Sequence, residues 1–424
     1  MSAGAESVAE GAPPAPRIAQ LDVVRGVAVM GILAMNIVAF AMPFQAYMNP
    51  TAYGMQGPAD LISWFLSFIF IDGKMRGLFS FLFGASTLLV IQRAQAAGAD
   101  PARSHYLRMA WLLVFGLIHF YLIWFGDILV AYALVGMLLY LFKDSSPRKL
   151  IGWGIALVAA QCLLMAGFAF SAFQMAAATA GPNPDPDTIE SWNAMREMFA
   201  PLASQALADN LALFRGAYSG QVQDRLVEHG TEPFTSVLTF GWETLAYMLF
   251  GMAALKTGFF KGEWPRARYL KIALIGLAVS IPVYAVLAWL LMRSAFAPEM
   301  VIAITLGATT PFRPLMVLAY AALIILLARP GGFLTARIAA TGRAAFTNYL
   351  GTSLLMTALF YGWGLGLYGS LSRAQLWLPV LAMWLLMLLW SKPWLERFNY
   401  GPFEWLWRSL ARMAPQPMRK TNAV

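Results

Sequence analysis

Residues 21–44 read LDVVRGVAVMGILAMNIVAFAMPF, an apolar run interrupted by Asp22, Arg25 and Asn36 and closed by Met42-Pro43. At about 1.5 Å per residue this run is roughly 36 Å long as a helix, enough to cross a hydrocarbon core of about 30 Å. Runs of similar character recur at about 75–93, 105–125, 127–142, 149–172, 235–256, 268–292, 313–328, 344–368 and 374–392. The expected fold is therefore all-α: a polytopic membrane bundle of about ten transmembrane helices. A shorter apolar stretch, 59–71, ends at Asp72-Gly73 and reads either as an interfacial helix or as the first half of a broken second span.

Composition agrees with that reading. Of the 424 residues 59% are hydrophobic and 12% charged, where a soluble domain carries about a quarter charged residues. The net charge of +9 comes from lysines and arginines in short loops between apolar runs, which is how membrane orientation is encoded. No basic stripe interleaves with stacking aromatics, so a nucleic-acid partner is not expected. Arg93, Arg103, Arg108, Lys143, Arg148 and Lys149 fall on one side, followed by Lys256, Lys261, Arg266, Arg268 and Lys271. Arg329, Arg337 and Arg343 continue the pattern, as do the basic residues after Lys392. Every second loop is basic, which predicts an even number of spans with both chain ends in the cytoplasm. Cys162 is the one cysteine, so neither an internal disulfide nor a thiolate zinc site can form.

Three regions follow. Residues 1–16 are rich in Ala, Gly and Pro and read as a disordered cytoplasmic tail. Residues 17–393 form the membrane domain, and 394–424 a cytoplasmic C-terminal segment. Within the membrane domain, the connection at 173–234 is long, contains Gly181-Pro182-Asn183-Pro184-Asp185-Pro186, and falls on the outer side. A loop of that length reads as a cap over a site or as a spacer.

Ionisable and amide side chains inside a span are costly, and they face a bundle interior or a watery cavity. Arg25 and Asn36 lie eleven residues apart, about three turns, so they share a face with roughly 16 Å between them. A structural reading makes Arg25 a snorkelling anchor and Asn36 a tie between helices. His119 is the one histidine deep in a span, and Asp127 follows it across Trp124-Phe125-Gly126. Asp127 also suits the N-terminus of the next helix. Glu243 lies about two turns into its span, which places Asn36, His119 and Glu243 in one outer-half layer. A histidine beside a carboxylate has the chemistry of a general base, and an asparagine that of an oxyanion donor. Lys74 and Arg76 stand at the Asp72-Gly73 break, and with Asp60 they form the candidate substrate-binding set; two cations there suit an anionic substrate or a lipid headgroup. His105 and His229 are expected in solvated loops. No metal-ligand spacing, phosphate-binding glycine loop or Gly-x-Ser-x-Gly elbow is present.

Several stretches form a joint pattern. They are Leu21-Asp22-Val23-Val24-Arg25-Gly26 with Asn36; Leu78-Phe79-Ser80-Phe81-Leu82-Phe83-Gly84; Gly116-Leu117-Ile118-His119 with Gly126-Asp127-Ile128-Leu129; Gly342-Arg343-Ala344-Ala345-Phe346-Thr347-Asn348-Tyr349-Leu350; Tyr361-Gly362-Trp363-Gly364-Leu365-Gly366; and Gly401-Pro402-Phe403-Glu404-Trp405-Leu406-Trp407-Arg408. From about residue 17 to 410 the chain resembles the YeiB-like bacterial membrane family, labelled a domain of unknown function. Its first helix is similar to that of the transmembrane acyltransferase superfamily. There a Leu-Asp-x-x-Arg-Gly opening precedes a catalytic polar residue, and acyl groups pass from a cytoplasmic thioester to a sugar or related acceptor. One branch has histidine eleven residues after the arginine; this chain has Asn36, as in the heparan-acetylating branch. That branch pairs its asparagine with a nearby histidine, whereas here none follows before residue 105.

The resemblance implies a transmembrane-acyltransferase-like fold in a bacterial inner membrane and a donor of the acyl-coenzyme-A type. Arg25, Arg343 and Asn348 would hold that donor, His119 would be the base, Asp127 or Glu243 would orient it, and Asn36 would hold the oxyanion. The acceptor would be a small molecule, a glycan or a lipid, reached through a polar tunnel continuous across the bilayer. The same Arg25, Asn36, His119 and Glu243 would equally line the pathway of a transporter or channel for a small anion or metabolite. In a third reading, a lipid-binding scaffold, they would only join helices. The sequence leaves the oligomeric state open.

Overall fold

The computed structural model describes residues 18–420; the tail read at 1–16 lies outside them. Among the described residues the chain is helical, with no strand beyond an isolated bridge between Phe398 and Arg419. The first helix, α1 (Ala19–Ala41), stops where Met42 turns extended ahead of Pro43, because proline disfavours the helical conformation in the residue before it. It is the bundle's centre: 78% of its apolar window is buried.

Around it the chain lays down α2 (Pro58–Phe70), α3 (Lys74–Ala96), α4 (Pro101–Ile118), α5 (Leu129–Leu138) and α6 (Pro147–Thr179). The long connection folds as α7 (Pro186–Glu197), α8 (Ser204–Arg215) and α9 (Tyr218–Val227). Then come α10 (Glu232–Lys256), α11 (Arg266–Arg293), α12 (Arg313–Leu327), α13 (Phe333–Arg343), α14 (Ala345–Phe360), α15 (Trp377–Arg397) and α16 (Pro402–Arg412). The stretch 59–71 is helical and counts with the helix after it as one candidate span, Pro58–Ala96. It is α2, and it runs into α3 through Ile71-Asp72-Gly73, where Gly73 takes φ +72°, a conformation that favours glycine.

Seven of the described helices are long and apolar enough to cross a membrane, or eight if the bent pair Pro298–Ala308 and Arg313–Leu327 counts as one span. The chain is an integral membrane protein. Two segments read as spans are shorter than expected. Residues 129–142 form one short apolar helix, and the 344–368 run leaves the helix at Phe360. There the chain turns back on itself: Leu365 N donates to Ala358 O at 2.8 Å and Tyr368 N to Phe360 O at 2.7 Å. A Cβ on Gly364 would lie 1.9 Å from the Ala358 carbonyl oxygen, so that return needs glycine.

Glycines also set how closely the spans cross. A Cβ on Gly26 would lie 2.0 Å from Ile338 O, and one on Gly342 2.0 Å from Asp22 O. The Leu-Asp-x-x-Arg-Gly opening is thus, among other things, the place where α1 meets α13 backbone to backbone. In α3 and α10, a Cβ on Gly84 would lie 1.9 Å from Met248 O and one on Gly251 1.7 Å from Phe81 O. Small residues let membrane helices approach in this way. Gly251→Ala is therefore expected to destabilise the protein by about 1–3 kcal/mol, the usual cost of overpacking. Gly152→Ala, with nothing within 4 Å of the added carbon, is expected to melt like the wild type. Equal melting temperatures for the two variants in detergent would contradict the crossing.

α16 joins two of the quoted stretches. Its Glu404 accepts from Phe346 N at 2.6 Å, Thr347 N at 3.1 Å and the Thr347 hydroxyl at 2.5 Å, so it caps α14 from 57 residues away. At the other end of the bundle, the α7–α9 insert packs on the loops that follow α1 and α14. Gln45 Nε2 donates to Glu197 O at 3.0 Å, and Arg215 Nε to Tyr368 O at 2.7 Å.

Candidate functional site

Three irregular segments converge on a cavity of about 360 Å³. The first is the α2–α3 break, which contributes Asp72, Lys74 and Arg76. The second is Trp124–Ile128, the link between α4 and α5, and the third is the Thr305–Arg313 region ahead of α12. Ile32 and Asn36 of α1 line its floor. The second and third segments are each preceded by or contain a π-helical turn, His119–Ile123 and Ile302–Ala308. Such widened turns concentrate at functional sites because they redirect side chains that a regular helix would stack.

The first π turn positions His119. It closes with Trp124 N donating to His119 O at 2.8 Å, and Trp124 then stacks on Phe40 with ring centroids 3.8 Å apart. Gly126 follows, where a Cβ would lie 2.2 Å from the Trp124 ring, so the chain can double back here only with glycine. The reversal brings Asp127 Oδ1 to 2.8 Å from His119 Nδ1, while Asp127 Oδ2 accepts from Val130 N at 2.8 Å in the first turn of α5. One carboxylate thus caps a helix and orients an imidazole. With the aspartate ionised, Nδ1 carries the proton and Nε2 the lone pair. His119 is fully buried, and Nε2 has no hydrogen-bond partner among the described residues. Asp127 lines the cavity; the imidazole stands behind it, its ring centroid 5.2 Å from that of Tyr349.

Glu243 serves a different cluster. Its carboxylate accepts from Arg76 Nη2 at 2.6 Å, from Arg313 Nη1 at 3.0 Å to each oxygen, and from the Tyr247 hydroxyl at 2.9 Å. Arg313 Nη2 donates further to Thr305 O and Thr309 Oγ1, both at 2.7 Å. Glu243 therefore orients two guanidinium groups and not His119. Lys74 is buried; its ammonium donates to Phe68 O and sits 3.5 Å from the centroid of the Tyr284 ring. Arg313 does not figure in the residue set taken from sequence. Its signal is the polar break Thr309-Thr310-Pro311-Phe312-Arg313-Pro314, which separates two apolar runs.

Asn36 lines the cavity. Arg25 does not: it donates to Asp22 at 2.9 Å, to Ser86 at 2.7 Å and to Gly342 O at 3.5 Å. On α1 the cavity ends at Ile32, seven residues from Arg25, about 10 Å along a helix. The expected continuous tunnel is thus not formed by this cavity. Asn348 is engaged within the bundle, with Nδ2 on Thr341 O at 3.1 Å and Ser391 Oγ at 3.3 Å while Oδ1 accepts from Trp390 at 2.9 Å. Arg343 is the last residue of α13. Asp60, also outside the cavity, accepts from Gln56 N, Gly57 N and Ala374 N at 2.9, 3.1 and 2.7 Å and clasps the start of α2 to the loop after α14. His105, expected in a solvated loop, is buried. Asp100 caps the helix at Ala102 N, 2.8 Å away, so α4 starts early and turns His105 onto Tyr140. His229 is part-exposed and pairs with Glu232 at 2.7 Å.

The chain is 32% identical over 416 residues to the uncharacterized protein YeiB of Escherichia coli (strain K12), covering 94% of this chain and 97% of that protein. The chain belongs to the YeiB-like family. It is also 30% identical over 421 residues, 96% of this chain and 97% of the other, to the uncharacterized protein YxaH of Bacillus subtilis (strain 168). Residues 254–414 match the family described as protein of unknown function (DUF418). No solved structure matches the chain. In this YeiB-like protein the family match begins within α10 and includes Arg313, whereas His119, Asp127 and Glu243 precede it.

Proposed function

We propose that the protein is a membrane-embedded acyltransferase, related to the transmembrane acyltransferase superfamily. It would move an acyl group from a cytoplasmic thioester of the acyl-coenzyme-A class to a sugar, lipid or envelope acceptor. In this reading there are ten spans with both ends in the cytoplasm of a bacterial cell, the protein sits in the inner membrane, and the cavity lies in the outer half of the bilayer. The observation that carries it is the His119–Asp127 pair, whose oriented imidazole leaves Nε2 without a partner among the described residues. That is the arrangement a general base requires.

The acceptor's proton passes to His119 Nε2 as its oxygen forms the new bond to the acyl carbon. The C–S bond of the thioester breaks, and the proton on Nε2 goes to the departing thiolate. The Asn36 amide donates to the oxyanion that forms between these steps. Because His119 is fully enclosed, its contact with an acceptor needs the π turn to move. Transfer likewise needs the helices to part between Ile32 and Arg25, with Arg25 and Arg343 facing the donor's phosphates. Asn348, already bonded on both ends of its amide, falls to a structural role.

One observation favours a transporter for a small anion or metabolite instead. The cavity lies between interrupted helices, α2–α3 and the pair formed by Pro298–Ala308 and α12, bent by 54°, as transporter sites often do. The two readings separate in one preparation. Purified protein in lipid bilayers is supplied with a panel of short- and long-chain acyl-coenzyme-A donors, and free thiol is measured beside anion flux. Thiol release with an acylated product is the expected result. Flux of an unmodified anion with no thiol release would leave the transporter.

A further inference from the structure

We infer that the cavity holds a phosphate-class anion, with Arg76 as its principal ligand, Lys74 beside it and Arg313 as a fixed positive charge. Calling that anion part of the acceptor rests on the acyl-transfer reading; the binding itself does not. The argument begins with charge. Arg76 and Arg313 share the single carboxylate of Glu243, so this wall keeps an excess of one positive charge. That excess is local to this wall, because Asp72, Asp127 and Glu232 also line the cavity: Asp127 is turned to His119 and Val130 N, Glu232 pairs with His229, and Asp72 stands two residues from Lys74.

Donor supply points the same way. Arg313 places both terminal nitrogens on protein acceptors. Arg76 makes one side-chain hydrogen bond, through Nη2, and its side chain is 22% exposed on the cavity. Lys74 makes one, to Phe68 O. Arg76 is thus a planar fork, held from behind by Glu243, with its remaining N–H groups available to the cavity. That geometry matches tetrahedral oxyanions. Asn36 and Tyr47 line the same cavity and make no side-chain hydrogen bond among the described residues, so the wall offers polar groups to a ligand. The remainder of the wall is apolar, with Trp64, Phe68, Phe240 and Leu306, and 360 Å³ exceeds what a bare phosphate fills. A phosphomonoester or phosphodiester with an organic body fits, either as a soluble metabolite or as a lipid headgroup.

The test uses the full chain in phosphatidylcholine nanodiscs. One arm titrates inorganic phosphate against chloride at matched ionic strength; the other includes a fraction of phosphatidylglycerol. Melting temperature and native mass are read for wild type, Arg76→Gln and Arg76→Lys. A wild-type response weakened at least about tenfold in Arg76→Gln is expected, with Arg76→Lys retaining charge but also losing affinity. Response to phosphate alone supports the site and names a soluble phosphorylated ligand; response to phosphatidylglycerol alone supports it and names a headgroup. No response in either arm overturns the site, as does an undiminished response in Arg76→Lys or in a folded Arg76→Gln. Anion binding that survives where no donor turnover is found would sink acyl transfer and leave this site in place.

Discussion

Asp127→Asn is expected to reduce donor turnover by about a hundredfold to ten-thousandfold while leaving the melting temperature nearly unchanged. Asparagine can keep its oxygen on Val130 N and so preserve the cap on α5, which in the wild type is a 2.8 Å bond. Its amide nitrogen then faces His119 Nδ1, where the carboxylate had accepted at 2.8 Å. Nδ1 must now accept, the proton moves to Nε2, and the lone pair needed for proton abstraction is gone. Asp127→Ala loses the cap as well, at a further cost of about 1 kcal/mol. Turnover and melting temperature measured together on both variants separate the two roles of this residue. Asp127→Asn that turns over donor like the wild type would show that the carboxylate is only a cap.

Glu243→Gln should be among the most destabilising single changes in the protein. The carboxylate is 1% exposed and compensates two guanidinium groups. Removing one member of a buried ion cluster leaves charge without compensation and costs about 3–5 kcal/mol. Arg313 suffers most, because it is 8% exposed and cannot turn to solvent. A double variant, Glu243→Gln with Arg313→Gln, should recover part of the loss, since it removes the uncompensated charge as well as its partner. Thermal unfolding of the two variants beside the wild type checks this. A single variant as stable as the wild type would mean that the cluster is hydrated and that Glu243 does not hold the arginines in place.

Residues near one another in sequence were the ones whose relationship could be read from it. His119 and Asp127 are eight apart, and a break rich in aromatics and glycine between them already implied a reversal. Arg76 and Glu243 are separated by 167 residues and Arg313 and Glu243 by 70. Their meeting depends on how α3, α10 and α12 cross, which no periodicity encodes. Depth counting placed Glu243 in the same layer as His119, but a layer has a circumference, and Glu243 faces the arginines. Apolar runs marked the long helices well because burial in lipid demands them. The 344–368 run was misleading: Gly362, Gly364 and Gly366 let apolar sequence fold back where hydropathy alone reads continuing helix. His105 is buried and not in a loop because the cap at Asp100 lies upstream of the apolar run and adds a turn to the helix.

The most direct test of the account is acyl-coenzyme-A turnover by purified protein in lipid nanodiscs, wild type beside His119→Ala, with melting temperature as the control for folding. Removing a general base costs about a hundredfold to ten-thousandfold, so the expected result is donor turnover by the wild type and loss of that size in a variant that still folds. Equal turnover by a folded His119→Ala would contradict it.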